Sequence, residues 1–147
     1  MNTKDDIKAS GSLRVVVYDK SGAVKESREF DNLVVTTGKN FVASRIVGVV
    51  DNVMSHMAVG SGTTAAASGD TALQTELGRV ALASNTAALN VVTQTATFPA
   101  GTGTGAVTEA GVFNAASAGT MFCRTVFAVI NKGADDAMSV TWTVTVS

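Results

Sequence analysis

The cleanest pattern in the chain lies near its end. Met138, Val140, Trp142, Val144 and Val146 alternate with Ser139, Thr141, Thr143 and Thr145, the period-two spacing that turns one face of a β-strand to a core and the other to water. The preceding stretch, residues 89–130, is read as three more strands at 89–98, 106–114 and 120–130, with loops at 99–105 and 115–119. Its side chains are almost all small, β-branched or aromatic, and only Glu109 and Arg124 are charged. Such a stretch is built to be packed against.

Earlier in the chain, residues 13–18 read as a strand, Asp19-Lys20-Ser21-Gly22 as a turn and residues 24–30 as a second strand, so the pair predicts a hairpin with a wet, charged face. Asp31-Asn32 is read as a break before a short extended segment at 33–35. Phe41, Val42, Arg45 and Ile46 then fall at helical spacing, with Thr36 or Thr37 available as N-cap and Gly48 as the stop, which predicts the one helix, near residues 37–48. A strand at 54–60, an uncharged loop at 61–69, a single helical turn over 70–77 capped by Asp70, and a strand at 78–83 complete the reading. Asn131 to Asp136 form a turn cluster before the last strand. The sum is about eight to nine strands with a helix after the third. That predicts a mainly β protein, an antiparallel β-sandwich of jelly-roll or Greek-key type.

Length and charge refine this picture. At 147 residues and 14.9 kDa the chain suits one domain, large enough to take roughly 70% of its unfolded surface out of water. Residues 1–12 are polar and read as an N-terminal arm, held by a neighbouring subunit or laid across the domain's own surface; residues 13–147 form the domain. Residues 1–31 carry twelve of the 23 charged side chains, residues 32–79 six, and residues 80–147 only five. So little charge fits a surface partly covered by partners, or one kept soluble by Ser, Thr and Asn. A net charge of −1 and a pI near 5.7 provide no basic field for a nucleic-acid backbone. The N-terminus has no apolar signal region, and no apolar run approaches the ~20 residues that span a bilayer. Synthesis in the cytoplasm, with no membrane contact, is therefore expected.

No candidate chemistry survives inspection of its neighbours. Gly101-Thr102-Gly103-Thr104-Gly105 lacks the lysine of a phosphate-binding P-loop and sits between strands, so it reads as a flexible hairpin loop. His56 is the sole histidine, between Ser55 and Met57, and reads as packed or at an interface. Cys123 has no disulfide partner and reads as a buried thiol. Asp135-Asp136 offers too few oxygen ligands for calcium unless a neighbouring chain supplies the rest, and reads as a solvated turn. Met54, Met57 and Phe41 read as core or subunit contact. Glu109 and Arg124 are expected to pair across strands rather than to act as acid and base. The reading is of a protein that is not an enzyme and needs no cofactor or metal.

Three blocks carry a resemblance: Gly60 to Arg79 (GSGTT…GDTAL…E…R), Thr97 to Ala115 (TFPAGTGTG…TEAGVFNA) and Asn131 to Val144 (NKG…VTWTV). Over about residues 33–147 the chain resembles small virion proteins of tailed bacteriophages, either capsid decoration (cement) proteins or tail, neck and fibre modules. No catalytic residues come with the resemblance. It implies a virion protein that binds the major capsid protein or other virion proteins and assembles with itself, most simply as a trimer. Contact residues are then expected in the arm, at Ile7 and Lys8, and in two uncharged loops, at Ser61, Gly62, Thr63 and Thr64 and at Gly101, Thr102 and Gly103. A small-ligand or carbohydrate-binding sandwich is the alternative from another class, disfavoured because one tryptophan and one tyrosine make a poor stacking platform.

Overall fold

The first and last strands lie side by side inside one antiparallel sheet, next to its central strand. The computed structural model describes residues 5–49 and 51–147. In chain order its elements are β1 (Ala9–Tyr18), β2 (Val24–Val34), α1 (Thr36–Ile46), β3 (His56–Gly60), β4 (Glu76–Ala81), β5 (Ser84–Ala88), β6 (Val91–Phe98), β7 (Gly105–Phe113), β8 (Met121–Lys132) and β9 (Ala137–Val146). The strands form a single curled sheet in the order β4-β3-β7-β8-β2-β1-β9-β6-β5. The mainly β, antiparallel expectation holds, as does the single helix among the described residues.

Two features shape the sheet. β2 pairs with β1 from Val24 to Asn32 and then with β8 through Leu33 and Val34, so it passes from one half of the sheet to the other. Asp31-Asn32, expected to break the chain, lies within this strand where it changes partner, and α1 therefore follows the second strand and not the third. At the far side, β4 and β5 are separated only by Leu82 and Ala83. The Leu82 amide donates to the Ser55 carbonyl at 2.8 Å and the Ala83 amide to the Thr95 carbonyl at 2.7 Å. The two ends of the sheet are thus consecutive in sequence.

The predicted alternation in β9 points Met138, Val140, Trp142 and Val144 into the core, beside Leu13, Val15 and Val17 of β1 and Ala96 and Phe98 of β6. Met57 and Val59 of β3, Val107, Ala110 and Val112 of β7 and Phe127 and Ile130 of β8 complete the same cluster. Each such aliphatic side chain, fully buried, contributes roughly 1.5–3 kcal/mol. Met54 and Met57 are core, as expected, and Phe41 packs against its edge. Cys123 is buried and free, and burial pushes its thiol pKa up.

Several local expectations are corrected. No helical turn forms over 70–77: the chain stays irregular to Thr75 and becomes β4 at Glu76. Residues 84–88, unassigned in the sequence, form β5, while Leu89 and Asn90 make a turn rather than the start of a strand. Neither Thr36 nor Thr37 caps α1, whose N-cap is Val35 with no side-chain bond. Thr37 instead donates through Oγ1 to the Met121 carbonyl, at 2.7 Å. Asp136 is not solvated: it is buried, and its carboxylate accepts from Lys25 Nζ and from the Gly133 amide, both at 2.7 Å. Of the expected arm, residues 1–4 lie outside the described residues, residues 9–12 belong to β1, and Lys8 exchanges backbone hydrogen bonds with Ser147 at 2.6 and 2.8 Å.

Candidate interface

The loop at 61–75 is fastened to the outer face of β7 and β8 by a buried ionic cluster. Glu109 on β7 and Arg124 on β8 pair diagonally across the ladder, with Arg124 Nη2 2.9 Å from Glu109 Oε2. Arg124 also reaches Asp70 Oδ2 at 2.7 Å and donates to the Thr64 carbonyl at 3.0 Å. The Glu109 carboxylate accepts from the amides of Gly62 (2.9 Å), Thr75 (2.8 Å) and Gln74 (3.1 Å). Burial alone would raise the Glu109 pKa; the Thr75 and Gln74 amides, Arg124 and Gly62 outweigh it and hold the group below its ordinary value. With its lone pairs committed, this carboxylate is a structural clamp and not a poised base. Gly62 is required here, since a Cβ would lie 2.6 Å from both Gln74 Cβ and Glu109 Oε1.

The same loop roofs a second apolar cluster of Val35, Ala58, Leu73, Phe113 and Met121. The Arg79 guanidinium lies 3.8 Å from the Phe113 ring centre, is held by Glu76 and donates to the carbonyls of Ala115 and Ala118. The loop at 99–105 is also tied inward. Buried Lys132 donates to the Pro99 carbonyl at 3.0 Å, and Gly103, at φ 66°, sits where a Cβ would be 2.8 Å from Val59 Cγ2. Desolvation lowers the Lys132 pKa.

These ties decide which expected contact residues remain presentable. Thr63, Thr64 and Gly101 are exposed, and Ser61 and Thr102 are half-buried. Gly62 and Gly103 are buried and closely packed for the steric reasons given, and present no exposed surface of their own. Ile7 and Lys8 are exposed and lie apart from both loops, beside α1.

There the structure builds a feature that the sequence reading missed. An apolar groove of about 460 Å³ runs between α1 and the start of β1, lined by Ala9, Val34, Val42, Ala43, Ile46 and Val146, with Ile7, Lys8 and Lys39 at the same site. Its walls are fixed by close approach. Gly38 presses α1 against the Phe122 carbonyl, and the Lys8–Ser147 pairing holds the opposite wall against the end of β9. Ile7 is 80% exposed and Ile46 79%, so two large aliphatic groups at the groove stand in water, and Val47, next to Ile46 in the chain, is 77% exposed. Among the described residues neither Lys8 nor Lys39 has an ion-pair partner. The signal available in the sequence was Ile46-Val47-Gly48-Val49, an aliphatic run too dense at a helix end for one buried stripe.

Among the described residues no three His, Cys, Asp or Glu side chains cluster as metal ligands, and no helix is long and apolar enough to cross a membrane. His56 meets Ser55 Oγ through Nδ1 at 2.8 Å. Comparison with protein-family models, characterised proteins and solved structures returned no match.

Proposed function

We propose that this chain is a structural protein of a tailed-phage virion, a capsid decoration (cement) protein that binds the assembled shell through the major capsid protein and stabilises it. The observation that carries this reading is the pair of exposed aliphatic side chains Ile7 and Ile46 at the α1 groove, with exposed Val47 following Ile46 in the chain, which the fold itself leaves uncovered. The resemblance of the three sequence blocks supplies the virion context. In this reading the two halves of the curled sheet work as the layers of a jelly-roll-like sandwich. The protein is not an enzyme, takes no cofactor, and touches neither nucleic acid nor membrane. Binding the shell and not the free subunit would stabilise particles by mass action. Thr63, Thr64 and Gly101 would be further contacts on the loops.

A tail, neck or fibre component is the second reading, favoured by the same sequence blocks, which fit either class. Copy number separates them. Quantitative mass spectrometry of purified virions should count on the order of hundreds of copies, as repeated lattice sites require. A count near a dozen would sink the cement assignment in favour of the tail, and absence from particles would sink both.

A further inference from the structure

The groove beside α1 has an apolar floor and two lysines without ion-pair partners, so its occupant should combine an aliphatic anchor with carboxylates. Such a segment exists in this chain. Asp5, Asp6 and Ile7 follow one another immediately before the strand pairing begins, and all three are exposed. Asp5 and Asp6 make no ion pair among the described residues. Ile7 borders the groove of its own chain yet remains 80% exposed, so it does not fill it.

We infer that the groove receives the Asp5-Asp6-Ile7 segment of a second copy of this chain. Ile7 of one copy enters between Val42, Ile46 and Val146 of the next, and the two aspartates meet Lys8 and Lys39. The groove alone is smaller than a stable interface of about 1,000 Å². Val47, exposed and next to Ile46 in the chain, adds apolar area beyond the groove that the contact would cover. Ile7 and Lys8 belong to the rim of the acceptor groove as well as to the donor end of the chain, so donor and acceptor form one continuous patch and a two-fold, self-complementary contact satisfies both at once. This inference rests on the proposed function for the self-assembly that a virion subunit implies, and assigns the groove to contact between copies, which leaves Thr63, Thr64 and Gly101 to face the shell.

Sedimentation velocity of the purified full chain over a concentration series tests it. The wild type should form a discrete oligomer at micromolar concentration. Ile46→Asp should be monomeric, and Lys39→Glu should weaken association about tenfold or more, the scale of one well-placed rim charge (about 1.4 kcal/mol). Adding Asp6→Lys to Lys39→Glu should restore it. Lys39 and Ile46 are exposed, and circular dichroism would verify that each variant folds. A monomeric wild type at high micromolar concentration overturns the inference, as does undiminished association of Ile46→Asp or a charge swap that restores nothing. If the wild type is monomeric while Ile46→Asp abolishes virion binding, the occupant is another virion protein and the inference falls while the proposed function stands. An oligomer formed by a protein absent from virions has the opposite meaning.

Discussion

Arg124 on β8 donates to Glu109 on β7 through both Nε and Nη2, at 3.1 and 2.9 Å, with both side chains sealed from water. The pair is the anchor for fifteen residues of loop at 61–75 as well as a link between strands. Removing the Glu109 charge takes from buried Arg124 the more deeply buried of its two carboxylates, leaving Asp70, and weakens the hold on the three loop amides. Glu109→Gln is therefore expected to cost about 3–5 kcal/mol, the range for breaking a buried pair from one side. Urea unfolding measures it; a loss under about 1 kcal/mol would mean that the cluster is dispensable.

The acid behaviour follows from the same cluster. Glu109 and Asp70 both lie below their ordinary pKa; for Asp70, burial opposes and the Ala67 amide and Arg124 prevail. A depressed carboxylate stabilises the fold above its unfolded pKa, about 4, and that contribution disappears as pH falls through the folded value. Stability should thus be flat near neutrality and fall below about pH 4. Asp70→Asn should make the acid limb shallower, and an unchanged urea midpoint profile for this variant would contradict the assignment.

Gly38 sets two effects against each other. Alanine is the better helix former by about 1 kcal/mol, but its Cβ would run into the Phe122 carbonyl, a backbone atom that cannot swing away. Overpacking of about 1–3 kcal/mol should win. Gly38→Ala is expected to lower stability, whereas Asn40→Ala on the exposed side of α1 should be neutral or slightly stabilising. A Gly38→Ala protein as stable as wild type would show that the helix can lift without penalty.

Leu89 turns the β5–β6 hairpin at φ 52° with its side chain wholly exposed. A left-handed conformation costs a branched side chain roughly 1–2 kcal/mol, and glycine nothing. Leu89→Gly should raise the melting temperature by about 2–4 °C, after allowance for the greater freedom of its unfolded chain. Calorimetry showing a lower melting temperature would indicate that the leucine is not strained.

Legibility in the sequence followed burial. β9 was readable because one face is dry and the other wet, and β7 because both its faces are covered, which yields a nearly continuous apolar run. β5 was not, because Asn85 to Ala88 are exposed and carry no alternation at all. Asp70 looked like a helix cap for sound local reasons, but Arg124, distant in sequence, captures its carboxylate. The Glu109–Arg124 pair could be expected from two lone charges in an apolar stretch. Its hold on Gly62, Gln74 and Thr75 could not, since backbone amides leave no mark in a sequence. The groove beside α1 escaped for a related reason: its walls come from the start of β1, one helix and the end of β9, brought together only by the sheet.

The β1–β9 ladder has a temporal consequence. Ala9 pairs with Val146 and Tyr18 with Ala137, so the ladder joins segments far apart in sequence, and β9 leaves the ribosome long after β1. Until β9 emerges, β1 and β6 each lack a neighbour along one edge, and the inward faces of Leu13, Val15 and Phe98 have no complete core to enter. Such distant pairing places folding in the slow, millisecond-to-second regime of β-proteins and leaves the nascent chain exposed to intermolecular pairing in the interval. Yield in the cell should accordingly depend on how long β1 and β6 wait for β9 to emerge between them.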